Sequence, residues 1–280
     1  SGSKYVIVAN GIVSGSGYDP ATPFNLHVYD MAREMASGNG NTDVLVFHGS
    51  TDAPTVDVYE AAGPAGTIID DFMYGDFNGY LELPTADYVL EVQDETGAVT
   101  VASYDAPLQT LGLENQALVV LASGFLNPAN NSNGAEFGLY VALASGGELI
   151  ALPKSMAKAQ VIHNSADAAA ENVDVYLDGE LLLNDFAFRS ATPFVDLPAG
   201  VEIEVAIAPS TSMSVDDAIA TYNYQLASGS KYVIVANGIV SGSGYDPATP
   251  FNLHVYDMGQ EEAATNGNTD VLVFHGSTDA

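Results

Sequence analysis

Apolar and polar residues alternate with a period of two along much of this chain. In VEIEVAI (201–207), Val201, Ile203, Val205 and Ile207 fall on one face, and Glu202 and Glu204 fall on the other. YVLEVQD (88–94) turns Tyr88, Leu90 and Val92 inward; FNLHVYD (251–257) turns Phe251, Leu253 and Val255 inward and Asn252, His254 and Tyr256 outward. That alternation marks strands with one wet face. KYVIVA (231–236) and ALVVLA (117–122) are unbroken apolar runs, as expected of central, well-covered strands. Asp178-Gly179 is a tight-hairpin signal. No segment keeps a helical period; MAREMASG (31–38) and SMAKA (155–159) allow at most a turn or two. Short strands between turns rich in Gly, Pro, Asn and Asp predict an all-β fold of antiparallel sandwiches, with about seven or eight strands in each module.

The pattern repeats. Residues 1–31 return unchanged at 228–258, and residues 39–53 return at 266–280, always at an offset of 227. Only AREMASG (32–38) differs from its copy GQEEAAT (259–265). A fixed-period match of this kind is a tandem repeat. Inside it lies a weaker repeat at an offset of 114–115: VFHGSTDAPTVDVYE (46–60) resembles VIHNSADAAAENVDVYLDG (161–179), and DDFMYGDFNGYLELP (70–84) resembles NDFAFRSATPFVDLP (184–198). Each 227-residue period therefore holds two modules. The expected organisation is the last strands of a preceding module (1–31), a linker (32–42), module A (43–153), a linker (154–157), module B (158–258), a linker (259–268) and the first strand of a further module A (269–280).

Charge narrows the partners. The net charge is −30, arising from only six Lys and Arg residues rather than from abundant charge. Such a surface repels phosphate backbones and offers no basic patch to anionic lipids. Cysteine is absent, which removes disulfides and thiolate metal sites. No run reaches the ~18 apolar residues of a membrane span.

Two motifs carry a family resemblance. FHGSTDAPTVDVYE and its copy IHNSADAAAENVDVY resemble the His-x-Ser-Pro-Asp-Ala-Pro-x-Val-Asp-Val-Tyr opening of domain-of-unknown-function family 4397, and YLELPTADYVLEV and DLPAGVEIEVAI resemble its Leu-Pro-Ala-Gly-x-Tyr-x-Leu-x-Val segment. Thr51 and Ala166 stand where that family has Pro, and Glu171 shifts the spacing of the second copy. The resemblance covers nearly the whole chain. It implies secreted, immunoglobulin-like modules in tandem and no enzymatic activity.

Candidate chemistry is sparse. His48, Ser50 and Asp52 are two residues apart on one turn, whereas a triad gathers distant segments, so turn hydrogen bonding is the expectation for them and for His163. Asp57 and Asp174 are expected to be structural acceptors or solvent-facing. Asp70-Asp71 and Asp216-Asp217 should point to opposite faces. Asn39, Asn41 and Asp43, repeated as Asn266, Asn268 and Asp270, mimic the first half of a calcium loop. The loop then fails, with Val44 for Gly and Ser50 for Glu, so a polar turn opening a strand is preferred to calcium. Asn130-Asn131-Ser132 is a formal glycosylation tripeptide. No catalytic residue, cofactor or other metal is expected. His27 and His254 look like ordinary surface residues.

The expected role is structural: a segment or subunit of an extracellular fibre or cell-surface stalk whose partners are copies of itself. The alternative is an adhesin that grips carbohydrate or protein through loop aromatics such as Tyr18, Phe77 and Tyr245. Residues 1–31 hold two strands with Tyr5, Ile7, Phe24, Leu26 and Val28 uncovered, so a two-stranded piece needs completion by another copy.

Overall fold

The computed structural model describes residues 2–279; Ser1 and Ala280, the outermost residues of the two partial segments, lie outside the described residues. The chain is all-β and divides into two compact units, 1–154 and 155–280. SMAKA belongs to a strand, and Met31–Gly38 forms no helix. The short helical turns, each one 3₁₀ turn, lie instead at Pro128–Asn130, Ala168–Ala170 and Val215–Asp217.

In the first unit, β1 (Val6–Asn10) and β2 (Asn25–Tyr29) form a two-stranded antiparallel sheet of their own. The following strands are β3 (Asn41–His48), β4 (Val56–Glu60), β5 (Gly66–Phe72), β6 (Phe77–Pro84), β7 (Asp87–Asp94), β8 (Thr100–Pro107), β9 (Ala117–Ser123), β10 (Gly138–Leu143) and β11 (Ile150–Ala151). They make two sheets, ordered β11-β10-β9-β3-β6 and β5-β4-β7-β8. Val44 of β3, Leu118 and Val120 of β9 and Val141 of β10 meet Tyr104 and Ala106 of β8 in the core between them.

The second unit repeats this plan. Its strands are β12 (Met156–His163), β13 (Asn172–Leu177), β14 (Glu180–Ala187), β15 (Val195–Pro198), β16 (Glu202–Pro209), β17 (Ala220–Gln225), β18 (Lys231–Asn237) and β19 (Asn252–Tyr256). The sheets run β15-β12-β18-β19 and β14-β13-β16-β17. Ile203 and Ile207, placed inward by the alternation of VEIEVAI, are buried against Ala159, Ile234 and Leu253. Pairing in both units is antiparallel except at the opening strand, which runs parallel to the penultimate long strand: β3 beside β9 and β12 beside β18.

Each unit carries the same irregularity. The register slips between β4 and β5 and between β13 and β14, where Asp71 and Asp185 adopt positive φ (51° and 52°). The buried carboxylates of Asp57 and Asp174 accept the amides of Asp71 and Asp185, both at 2.9 Å. The left-handed residue also breaks the strict alternation expected of Asp70-Asp71, and Asp57, Asp70 and Asp71 come within 4.8 Å of one another. Among the described residues no helix is long and apolar enough to cross a membrane.

Candidate assembly interface

The His-Ser-Asp positions at the end of β3 and β12 fasten the end of each sandwich. The imidazole of His163 donates from Nε2 to the Ala170 carbonyl (2.7 Å) and accepts the Ser165 amide at Nδ1 (3.3 Å), which fixes a neutral tautomer. His48 donates from Nε2 to the Pro54 carbonyl (3.2 Å). Burial holds both imidazoles below the ordinary histidine pKa. Ser50 and Ser165 donate to the carbonyls of Gly124 and Gly238, 2.7 and 2.6 Å away.

Asp52 and Asp167 reach further than a local turn. Asp52 accepts the amides of Leu126 and Asn127 and the Asn131 side chain at 2.9–3.0 Å. Asp167 accepts from Val240 N, Ser241 N, Ser241 Oγ, Tyr245 Oη and Ala169 N between 2.6 and 3.0 Å. Desolvation opposes its charge, but these donors together outweigh it and hold its pKa at about 2. The signature therefore ties the loop after the opening strand to the loop after the penultimate long strand. The glycine at that crossing is also explained: a Cβ on Gly124 (φ 88°) would sit 2.1 Å from the Glu136 carbonyl oxygen, and one on Gly238 (φ 107°) 2.4 Å from that of Pro250.

The face that the sequence left unassigned lies on the β1–β2 hairpin. One of its sides packs on the outside of the β3–β6 pair. The His27 ring lies 5.1 Å from Phe47 and 5.9 Å from Tyr74; Tyr29 lies 5.5 Å from Phe77 and 5.9 Å from Tyr80. Asn10 donates to the Gly49 carbonyl and accepts from the Tyr74 hydroxyl, both at 2.8 Å. Tyr18 packs beside Phe125, and the Asp19 amide donates to Asn131 Oδ1 at 3.0 Å. Under this cover Leu45 and Phe47, which point away from the sandwich core, have no exposed surface.

The contact recurs in the second unit at the same offset. His254, the copy of His27, lies 5.1 Å from Phe274, the copy of Phe47. Val233, Val235 and Asn237, on the outer side of β18, are nearly covered. Residues 269–279 form no strand. His27 is thus a contact residue, whereas His254, beside Phe274, stays exposed as the sequence suggests. The readable signal was DVLVFH (43–48), apolar on both faces, where the second module has Gln160 and Ile162 outward.

The segment between hairpin and sandwich is docked. Arg33 Nη1 donates to Asp43 Oδ2 (2.5 Å) and Glu82 Oε1 (2.7 Å), its guanidinium lies 4.7 Å over the Tyr80 ring, and its amide donates to the Tyr80 hydroxyl. Of the calcium candidates, Asn39 is an exposed turn residue, Asn41 opens β3 and Asp43 is fully buried. The Asp43 carboxylate also accepts the Ser37 amide at 2.8 Å, so its one engaged oxygen already faces a cation and a donor. Asn266, Asn268 and Asp270 are exposed, and Asp270 accepts the Ala264 amide at 2.9 Å, the counterpart of the Ser37 bond. The loop aromatics are engaged as well: Phe77 stacks 4.7 Å from Phe47, and the Tyr245 hydroxyl donates to Asp167. Asn130 is exposed.

A family described as a domain of unknown function (DUF4397) matches residues 42–129 and 157–280. No curated protein matches the chain. Solved structures that align with it include a family 41 carbohydrate-binding module from streptococcal virulence factors, described by its α-glucan recognition, at 10% identity over 69% of this chain and 93% of that one, with a TM-score of 0.20. Proteins provisionally assigned to cell adhesion also align. That of Bacteroides uniformis is 9% identical over 79% of this chain and 98% of its own, with a TM-score of 0.17. That of Bacteroides ovatus is 11% identical over 94% and 100%, with a TM-score of 0.17. Likeness at that level bears on no ligand and no partner.

Proposed function

For a chain that belongs to the DUF4397 family, we propose a non-catalytic, structural role as a segment of an extracellular tandem-repeat fibre or surface stalk whose partners are copies of itself. One observation carries this. The same residues are exposed in β1–β2 and buried in β18–β19: Tyr5 is 55% exposed and Tyr232 8%, Ile7 60% and Ile234 5%, Leu26 55% and Leu253 6%. The hairpin of the second unit has one face in its own core and the other on the copy of β3 that follows it. The hairpin of the first unit makes the second contact and leaves the first face open. Burying each such side chain stabilises by roughly 1.5–3 kcal/mol. The natural occupant of that open face is a set of strands like 156–227 from another repeat, in the same long polypeptide or from a neighbouring molecule.

His163, Ser50, Asp52, Ser165 and Asp167 spend their hydrogen bonds on backbone groups and neighbouring structural side chains, which supports the non-catalytic reading. The loop aromatics that an adhesin would present are packed, which favours the fibre over the adhesin.

The test uses substitutions confined to one copy. Ile7→Lys with Leu26→Lys leaves the cores of both units untouched, so the chain should fold as before. Purified wild-type chain should self-associate with rising concentration in sedimentation velocity, and the double variant should not. A wild-type chain that stays monomeric refutes completion by strands of a separate molecule, and a variant that associates equally refutes association through the open face. The mass of the denatured polypeptide from assembled native material separates one long chain from strand-exchanging subunits.

A further inference from the structure

We propose that the sandwich formed by β3–β11 holds, between its two sheets, a binding slot for the unbranched hydrocarbon chain of a small uncharged amphiphile. A cavity of about 140 Å³ lies there, walled mainly by Val, Leu, Ile and Phe side chains. The counterpart between the sheets of the second unit is about 30 Å³. The packing shows the same contrast independently. In the second unit one continuous buried cluster joins both sheets, and the small separate group of Tyr176, Ala206 and Ala208 shares no residue with it. In the first, the core splits into a group around Val44, Leu118 and Val141 and another around Val56, Ile69 and Val92; Val46 and Leu81, only half-buried, touch both groups. The two modules share a fold and a signature, so the void is a property of the side chains chosen for this module.

A void of this size with an apolar wall excludes water and accepts small apolar molecules. Its course selects the ligand. The inward positions of β3, Val44, Val46 and His48, line it at successive alternate residues, and Leu90 and Val92 of β7 do the same from the opposite sheet. Four residues of strand advance about 14 Å, which suits an extended alkyl chain better than a ring. Glu60 and Asp94 are among the lining residues, and the chain carries a net charge of −30. An anionic head group would be repelled there, so the head group is uncharged.

The experiment is a titration of the full 280-residue chain with 1-octanol, followed by methyl NMR of valine and leucine side chains. Saturable shifts are expected at Val46, Leu81 and Leu90, with the valine and leucine methyls of the second unit's core unmoved, and the melting temperature should rise. Val46→Phe and, separately, Leu90→Phe fill the slot and should abolish the shifts; either variant suffices if the other fails to fold. Octanoate should bind at least tenfold more weakly. The proposal falls if octanol gives no saturable shift up to its solubility limit, if the shifts survive in the folded filled variants, or if octanoate binds as tightly.

Discussion

Replacing Asp167 tests whether the family signature is a fastening rather than a reactive group. Five donors converge on this carboxylate, and two of them are the consecutive amides of Val240 and Ser241, at 2.9 and 2.6 Å. The residue is buried, with 1% of its surface exposed. A hydrogen bond to a charged group contributes about 1.5–3 kcal/mol, and a buried donor left without an acceptor costs about 1–3 kcal/mol. Asp167→Ala should therefore cost roughly 3–5 kcal/mol. Asp167→Asn keeps the shape and loses the charge. The folded pKa of about 2 against an ordinary 3.8 corresponds to about 2 kcal/mol of stabilisation at neutral pH. With an m-value of about 2 kcal/mol/M, the asparagine variant should lower the urea midpoint of the second unit's transition by about 1 M.

The pH dependence supplies an independent check. Because the folded pKa lies below the unfolded one, this stabilisation is complete above pH 3.8 and is lost as pH falls through about 2. The wild-type transition should lose about 2 kcal/mol across that window, and the asparagine variant should lack that component. Urea unfolding at pH 7 and at steps between pH 4 and 2, with amide exchange of Val240 and Ser241 to locate the effect, measures both. A cost below about 1 kcal/mol for the alanine variant, or identical acid slopes for wild type and Asp167→Asn, would refute the reasoning.

The buried imidazoles of His48 and His163 should make stability fall as pH drops below 6.5, since the unfolded chain takes up protons that the folded chain resists. His163→Gln should flatten that part of the profile, and the difference from wild type isolates the histidine from the relief of carboxylate repulsion. Arg33→Gln, which installs the residue found at the equivalent position 260, should lower the stability of the first unit by about 1–3 kcal/mol in urea unfolding, because Asp43 is buried and loses its cation. Calcium should leave the melting temperature of the wild-type chain unchanged; a saturable rise that Asp43→Asn abolishes would show that the Asn39, Asn41 and Asp43 turn binds it after all.

The strands were legible because period-two alternation reports one-sided burial, and β16 and β19 sit where VEIEVAI and FNLHVYD place them, although in β19 only Leu253 is buried and Val255, expected inward, is exposed. The bulge at Asp71 and Asp185 was hidden, since a left-handed aspartate reads locally like any other strand residue. Alternation also underspecified the signature: it located His48, Ser50 and Asp52 but could not show that Asp52 reaches the loop at Leu126 and Asn127, a long-range contact. The contact surface was half legible. Tyr5, Ile7 and Leu26 announced an uncovered face, whereas His27 and Tyr29 looked wet because a polar-tipped aromatic has the same pattern whether it meets water or another protein surface.

A hairpin with both sides committed is a party wall. In the second unit, alternate residues of β18 belong to two different packed bodies, Ile234 to the module's own interior and Val233 to the segment that follows. Removing the wall opens both rooms. Unfolding of one repeat would strip its successor of cover over the Leu45 and Phe47 positions, and the free-energy cost of a defect would then depend on its neighbours, as in a one-dimensional cooperative chain. Melting would begin at ends, where one wall stands open, and travel inward. An interior repeat would be harder to open than the same sequence in isolation, with no change in any residue of its own.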